Sequence, residues 1–265
     1  MRTLAIPHAE IERAMEVARR AVGAASAAAL RHWRTAITVD WKADRTPVTA
    51  ADRDSEAAIL KVIREAFPSH AILAEESGAI SGDATSRWII DPIDGTRGFA
   101  RGGTFWGPMV ALEHDGRIVA GAMALPALGE TYWAGRGCGA FGPPGRLALS
   151  AVDDWAQATF SAGELRALLA TPWAEGIREL ITTCASTRCY GDVAGAVQLL
   201  SGRAEAWIEG VVKLWDLAAL KVIVEEAGGA FTDFDGTDTL ETGRAVATNG
   251  RLHEHVLAVL RRARR

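Results

Sequence analysis

The chain has 265 residues, 49% of them hydrophobic and 23% charged, the composition of a globular protein with a substantial core rather than of a disordered or fibrous one. Its net charge of −4, with both signs interspersed, gives no basic field for nucleic acid, and no run approaches the roughly 18 or more apolar residues of a membrane span. Three cysteines, Cys138, Cys184 and Cys189, lack C-x-x-C spacing, which predicts buried free thiols in a reducing cytoplasm over a Cys184–Cys189 bridge.

Residues 8–33 are Ala-rich, with Ile11, Met15, Ala18 and Val22 at helical spacing, so a long first helix is expected. Glu10, Glu12 and Glu16 within the first twenty residues are out of place in a signal peptide. Residues 37–41 alternate and read as a strand, residues 42–47 as a polar loop, and residues 50–67 as a second helix stopped by Pro68. Residues 71–74 form a short apolar strand ending on Glu75-Glu76. Trp88-Ile89-Ile90 reads as a buried strand that ends at Asp91, because Pro92 lacks the backbone donor to continue it.

Residues 108–114 and 117–125 flank Asp115-Gly116, a hairpin turn dipeptide. Residues 130–134 add a strand and the Gly/Pro-rich residues 135–145 read as loop. The second half alternates: helix 191–201, strand 204–208, helix 214–227, strands at Phe231 and 245–247, and a final helix 250–262. The basic cluster Arg261, Arg262, Arg264 and Arg265 suits a helix C-terminus. This order predicts a layered α/β fold, with an N-terminal lobe over about residues 1–145 and a C-terminal lobe over about 146–265 packed as one domain.

Asp91 and Asp94, followed by Gly95-Thr96, set carboxylates for hard cations beside backbone N–H groups able to face an anion, the layout of a metal-dependent phosphate-ester site. Three more acidic clusters stand at element junctions: Asp52, Glu75-Glu76, and Asp216, which precedes an apolar helical run where aspartate is a natural N-cap. Ligands of α/β sheets bind beyond strand ends, so these clusters are placed to converge. Gathered carboxylates repel and raise one another's pKa, a divalent cation relieves this, and all-oxygen ligation selects Mg2+, Mn2+ or Ca2+ over Zn2+. Each cluster alone has an ordinary reading, as cap, turn or solvated charge; four at junctions weaken those readings jointly. His253 and His255 would lie on different faces of a helix, so packing is expected of them. No nucleophile elbow, Walker A loop or dinucleotide glycine fingerprint is present.

With these motifs in view, the chain resembles the inositol monophosphatase superfamily of Mg2+-dependent, lithium-sensitive phosphatases. Ala74-Glu75-Glu76-Ser77 is similar to that family's G-E-E-S segment, with Ala for the usual Gly. Asp91-Pro92-Ile93-Asp94-Gly95-Thr96 matches D-P-[IL]-D-G-T, Trp215-Asp216-Leu217-Ala218-Ala219 matches W-D-x-A-[AG], and Val48-Thr49-Ala50-Ala51-Asp52 matches V-T-x-x-D. The resemblance implies an αβαβα sandwich like that of inositol monophosphatase and fructose-1,6-bisphosphatase. It implies that Glu75, Asp91 and the Ile93 carbonyl hold one Mg2+, that Asp91, Asp94 and Asp216 hold a second, and that Glu75 touches a weaker third. Mn2+ would be a possible substitute. It further implies that Asp52 and Thr96 orient and help deprotonate the attacking water, with phosphate on the Gly95 and Thr96 amides.

Residues 94–102, Arg188-Cys189-Tyr190-Gly191-Asp192 and Val224-Glu225-Glu226-Ala227-Gly228-Gly229 resemble the histidinol-phosphate phosphatases of that superfamily. That resemblance implies hydrolysis of histidinol phosphate, a step of histidine biosynthesis, with Asp192, Glu209 and Arg97 as substrate contacts. Departures lie at Gly98, where relatives often carry a side chain, and at residues 193–196, where they often carry aromatics. Inositol 1-phosphate is the nearest alternative substrate, then 3′-phosphoadenosine 5′-phosphate; a metal-binding regulatory protein without turnover has no chemical need for all six of Asp52, Glu75, Asp91, Asp94, Thr96 and Asp216. Relatives are typically homodimers, so a homodimer acting on a small phosphate monoester is expected, with neither nucleic acid nor membrane as partner.

Overall fold

The structure, a computed structural model, describes residues 6–36, 38–41 and 47–263. In chain order its elements are α1 (His8–Leu30), β1 (Asp40–Trp41), β2 (Pro47–Val48), α2 (Ala50–Ala66), β3 (His70–Ala74), β4 (Gly78–Ile80), β5 (Asp83–Asp94), α3 (Thr96–Ala100), β6 (Gly107–His114), β7 (Arg117–Leu125), β8 (Glu130–Gly135), β9 (Gly139–Gly142), β10 (Gly145–Arg146), β11 (Thr159–Ala162), α4 (Leu165–Leu169), α5 (Ala174–Thr183), β12 (Ser186–Cys189), α6 (Asp192–Leu200), β13 (Ala206–Gly210), α7 (Leu214–Glu226), β14 (Ala230–Thr232), β15 (Arg244–Thr248) and α8 (His253–Ala263).

An eight-stranded sheet runs β10-β9-β8-β7-β6-β5-β3-β4, and a five-stranded sheet runs β12-β11-β13-β15-β14. Strand side chains alternate between faces, and the first sheet uses both. Trp88 and Ile90 of β5 pack with Ala18, Val22, Ile59 and Ile63 of α1 and α2. Ile89 and Met109 point the other way, into a layer with Val197 of α6 and Leu217 and Leu220 of α7, closed below by Trp207 and Ala247 of the second sheet. The far face of that sheet, through Phe160, Ile208 and Val246, packs on Ile177 of α5 and Leu257 of α8. The order α, β, α, β, α is the sandwich implied by the sequence. Because every residue of α7 from Leu217 to Val224 is buried, whichever side it faces, the helix fits the middle layer, between two sheets.

The β6–β7 hairpin turns at Asp115-Gly116, both with positive φ as a two-residue hairpin requires. Elsewhere the chain departs from expectation. Strand β5 does not stop at Asp91: it continues through Pro92 to Asp94, the proline sitting in a bulge where no ladder bond is asked of it. Residues 38–39 are not strand, Ile37 and residues 42–46 lie outside the described residues, and Asp40–Trp41 pairs with Pro47–Val48 instead. Residues 135–145, expected as loop, carry β9 and the start of β10. The cysteines are free but not buried: Cys138 and Cys184 are half-buried and Cys189 is exposed. Arg261 and Arg262 close α8, while Arg264 and Arg265 fall outside the described residues. No helix among the described residues is long and apolar enough to cross a membrane.

Just after β13, Val211 has φ +64° and is 75% exposed. A β-branched residue in the left-handed region is strained by about 1–3 kcal/mol, against about 0.5–1 kcal/mol of extra unfolded-chain entropy for glycine. Val211→Gly is therefore expected to raise the melting temperature by about 2–4 °C, corresponding to roughly 1 kcal/mol. Thermal denaturation checks this, and an unchanged or lower midpoint would contradict the strain.

Candidate active site

Asp91 and Asp94 are three apart, which in a regular strand would send them to opposite faces. The bulge corrects this. Asp91 pairs with Met109 and Asp94 with Gly107, so three steps on β5 answer two on β6, and both aspartates take the face that looks toward α7. Parallel pairing of β3 with β5 aligns Ala74 with Ile90, and the Glu75 N–H donates to the Ile90 carbonyl at 3.1 Å, which sets Glu75 beside Asp91. Asp216 enters from α7, and one carboxylate oxygen each from Asp91, Asp94 and Asp216 lie within 4.8 Å of one another.

Two helix starts complete the group in the same way. Thr49 caps α2, and Asp52, the third helical residue, accepts the Thr49 N–H and hydroxyl, each at 2.7 Å, through Oδ2. Its Oδ1 faces the Thr96 hydroxyl at 3.2 Å, and that hydroxyl also reaches the Ile93 carbonyl at 3.0 Å. Asp216 is likewise not an N-cap, as expected from sequence, but the third residue of α7; its Oδ2 accepts the Lys213 N–H at 2.7 Å. Both carboxylates thus have one oxygen held by their own helix start and one left to face the site. Gly95, with φ +83°, heads α3, whose first N–H groups have no partner within the helix. Buried Phe99 and Trp106 pack edge to face under this turn, and Ile93 and Ala51 join them, so the loop bearing Gly95 and Thr96 rests on a rigid base.

Toward the opening, Asp94 accepts the Val193 N–H of α6. Asp192, one residue earlier, sits in the left-handed region at φ +56° and starts α6 rather than capping it, the N-cap position being Gly191. A Cβ on Gly95 would lie 3.1 Å from Asp192 Oδ2, which places this carboxylate against the Gly95 turn. Glu209 on β13 is buried, and its Oε1 accepts the Glu164 and Gly210 N–H groups at 3.0 and 3.1 Å. Arg97 is exposed on α3. The expected residues Asp52, Glu75, Asp91, Asp94, Thr96 and Asp216 are brought together. Asp192 and Glu209 adjoin them, and Arg97, next to Thr96 in the chain, is exposed. His253, buried, bridges the Thr248 and Thr232 hydroxyls at 3.1 and 3.0 Å, a packing role.

Two residues were missed from sequence. Glu56, 4% exposed, accepts the Glu76 and Ser77 N–H groups at 2.9 and 3.0 Å and so fixes the turn that carries Glu75. Its signal was legible: it lies one helical turn after Asp52, on the same face of α2. Gly163 left no signal, yet a Cβ there would lie 1.7 Å from Glu209 Oε2, so the buried glutamate needs this glycine.

Burial, followed by the charges of Glu75, Asp216 and Asp94, pushes the Asp91 carboxyl well above the usual aspartate range. Asp94 is raised equally firmly, by burial and then by Asp192 and Asp216. Burial raises Asp216 and Asp52, and lifts Asp192 to about 6 and Glu209 to about 8. A partly buried set of oxygen donors that repel one another fits a hard divalent cation, whose charge offsets what desolvation and repulsion cost.

The sequence matches the model of the inositol monophosphatase family over residues 10–265. A histidinol-phosphatase of Mycobacterium tuberculosis is 39% identical, covering 84% of this chain and 88% of the relative. One of Chlorobaculum parvum is 37% identical over 86% and 88%. Among solved structures, an inositol monophosphatase from Anabaena superimposes with a TM-score of 0.84 at 29% identity, covering 96% of this chain and 97% of that one.

Proposed function

The chain belongs to the inositol monophosphatase family and is a phosphoric monoester hydrolase, and we propose that it hydrolyses histidinol phosphate to histidinol and phosphate with Mg2+ as cofactor. Members of this family are metal-dependent, and Asp91, Asp94 and Asp216 form an acidic cluster able to hold a metal. In this reading Glu75, Asp91 and the Ile93 carbonyl would hold one ion and Asp91, Asp94 and Asp216 another. Bound divalent ions supply charge neutralisation and a water of lowered pKa. The Thr96 hydroxyl would position an attacking water and Asp52 behind it would accept its proton, while the Gly95 and Thr96 amides would hold the phosphate. Phosphoryl transfer asks mainly for such positioning, so no covalent protein nucleophile is needed.

The observation that carries the substrate is the pair Asp192 and Glu209. An amine and an imidazole on the leaving alcohol suit the acidic groups Asp192, against the Gly95 turn, and buried Glu209, which can accept or share a proton, and the two histidinol-phosphatase relatives support the same choice. Inositol 1-phosphate is the second reading, favoured by the Anabaena likeness. A phosphate-release panel with Mg2+ separates them. The specificity constant for histidinol phosphate is expected to exceed that for inositol 1-phosphate, 3′-phosphoadenosine 5′-phosphate and fructose 1,6-bisphosphate by at least about tenfold, or about 1.4 kcal/mol. Equal constants across the panel would sink the histidinol assignment and spare the phosphatase.

A further inference from the structure

Phe105 is 41% exposed although its neighbour Trp106 is fully buried against Phe99, so the backbone is anchored while one aromatic ring is turned out. It is turned out beside the site. A Cβ on Gly95 would lie 2.9 Å from the Phe105 carbonyl oxygen and 3.1 Å from Asp192 Oδ2, so Phe105 and Asp192 approach the same glycine of the phosphate turn. The Phe105 ring meets Tyr190 edge to face, with centroids 5.4 Å apart and planes at 68°. Tyr190 stands two residues before Asp192, across Gly191. Two aromatic rings in contact with each other thus stand on the two segments that meet the Gly95 turn, one through the Phe105 carbonyl and the other through Asp192.

Building on the histidinol phosphate reading, we infer that Phe105 and Tyr190 receive the imidazole ring of the substrate, with Asp192 facing its cationic amine. A flat heteroaromatic ring gains from packing on aromatic edges and faces, and a cation gains from both the rings and the carboxylate. A saturated polyol ring gains little from either. The pair thus makes the site select a planar, basic leaving alcohol, and it acts in binding rather than in breaking the phosphoester bond.

The test compares the parent with Tyr190→Leu, Phe105→Leu and Tyr190→Phe in Mg2+, using histidinol phosphate and inositol 1-phosphate, with free histidinol as competitive inhibitor. Each leucine variant is expected to raise KM for histidinol phosphate and the inhibition constant of histidinol about tenfold, with kcat within about twofold, and Tyr190→Phe to restore both. If the parent prefers histidinol phosphate and the leucine variants keep that preference, the aromatic inference is overturned while the substrate reading stands. If the parent shows no preference, the substrate reading falls and takes this inference with it. A loss in kcat shared equally by both substrates would make the rings merely structural and also overturn it.

Discussion

Asp91→Asn is expected to lower kcat/KM by about 10³-fold or more and, in chelator, to make the protein more stable than the parent. The activity loss follows from removing the one carboxylate assigned to both ions; about 4 kcal/mol of lost charge stabilisation is about 10³ in rate. The stability gain follows from the structure around it. The Asp91 Oδ1 accepts the Ile93 N–H at 3.0 Å, a bond that an amide oxygen also makes. One carboxylate oxygen of Asp91 and one of Asp216 lie within 4.8 Å of each other, and an amide at position 91 replaces that repulsion with a neutral group able to donate an N–H. The sign with pH is fixed by the directions. Asp91, Asp94, Asp192, Glu209 and Asp216 all have folded pKa values above their unfolded ones near 4. Their contribution is fully present below about pH 4 and is lost as pH rises through the folded values, including about 6 for Asp192 and about 8 for Glu209. Melting in EDTA should therefore move to lower temperature between pH 5 and pH 9, less steeply in the variant. Added Mg2+ should stabilise the parent more at pH 8 than at pH 6, because only ionised carboxylates are ligands. A variant that melts below the parent in EDTA would show that mutual repulsion is not what these clustered acids cost the fold.

What could be read from sequence was whatever local chemistry determines. Thr49 and Asp52 form a capping box within four residues, Asp115-Gly116 fits only a tight hairpin, and the acids of residues 91–94 and 216 declare themselves by type and spacing. What could not be read depends on partners distant in the chain. Pro92 ends an isolated strand, but paired with β6 it creates a bulge, and that bulge puts Asp91 and Asp94 on one face. The two residues of β10 have no strand pattern of their own; they are strand because β9 lies alongside. Thr159–Ala162 is too short to announce itself, yet it sits inside the second sheet between β12 and β13. Glu209 illustrates the same limit at the site. Its carboxyl packs against Gly163 and Glu164, some 45 residues earlier, and burial lifts its pKa to about 8 against the lowering by the Gly210 and Glu164 N–H groups; no spacing encodes that.

Asp52→Asn separates proton transfer from architecture, and is expected to reduce kcat by about 10²–10⁴-fold, the range of a general base, with KM and the Mg2+ requirement close to those of the parent and the melting temperature lowered by no more than several degrees. The hydrogen bonds allow this. The amide oxygen takes the place of Oδ2 and accepts the Thr49 N–H and hydroxyl, so the start of α2 keeps its cap. The amide nitrogen takes the place of Oδ1 and donates to the Thr96 oxygen, and the single Thr96 hydroxyl hydrogen, which turns to Asp52 for the relay in the parent, then donates to the Ile93 carbonyl at 3.0 Å. Only the second amide N–H gains no partner, so the cost to stability is at most that of one unmatched buried donor, about 1–3 kcal/mol. What disappears is the capacity to take a proton relayed through Thr96. Thr96→Ala, which removes the relay and keeps the base, should produce a similar loss in kcat, and the double variant should be no worse than either alone, as expected of residues acting as one unit. Steady-state kinetics with thermal melts on the three variants decide the matter. Additive losses, or a midpoint for Asp52→Asn further below the parent than one unmatched donor accounts for, would mean that Asp52 serves the fold of α2 rather than the chemistry of the water.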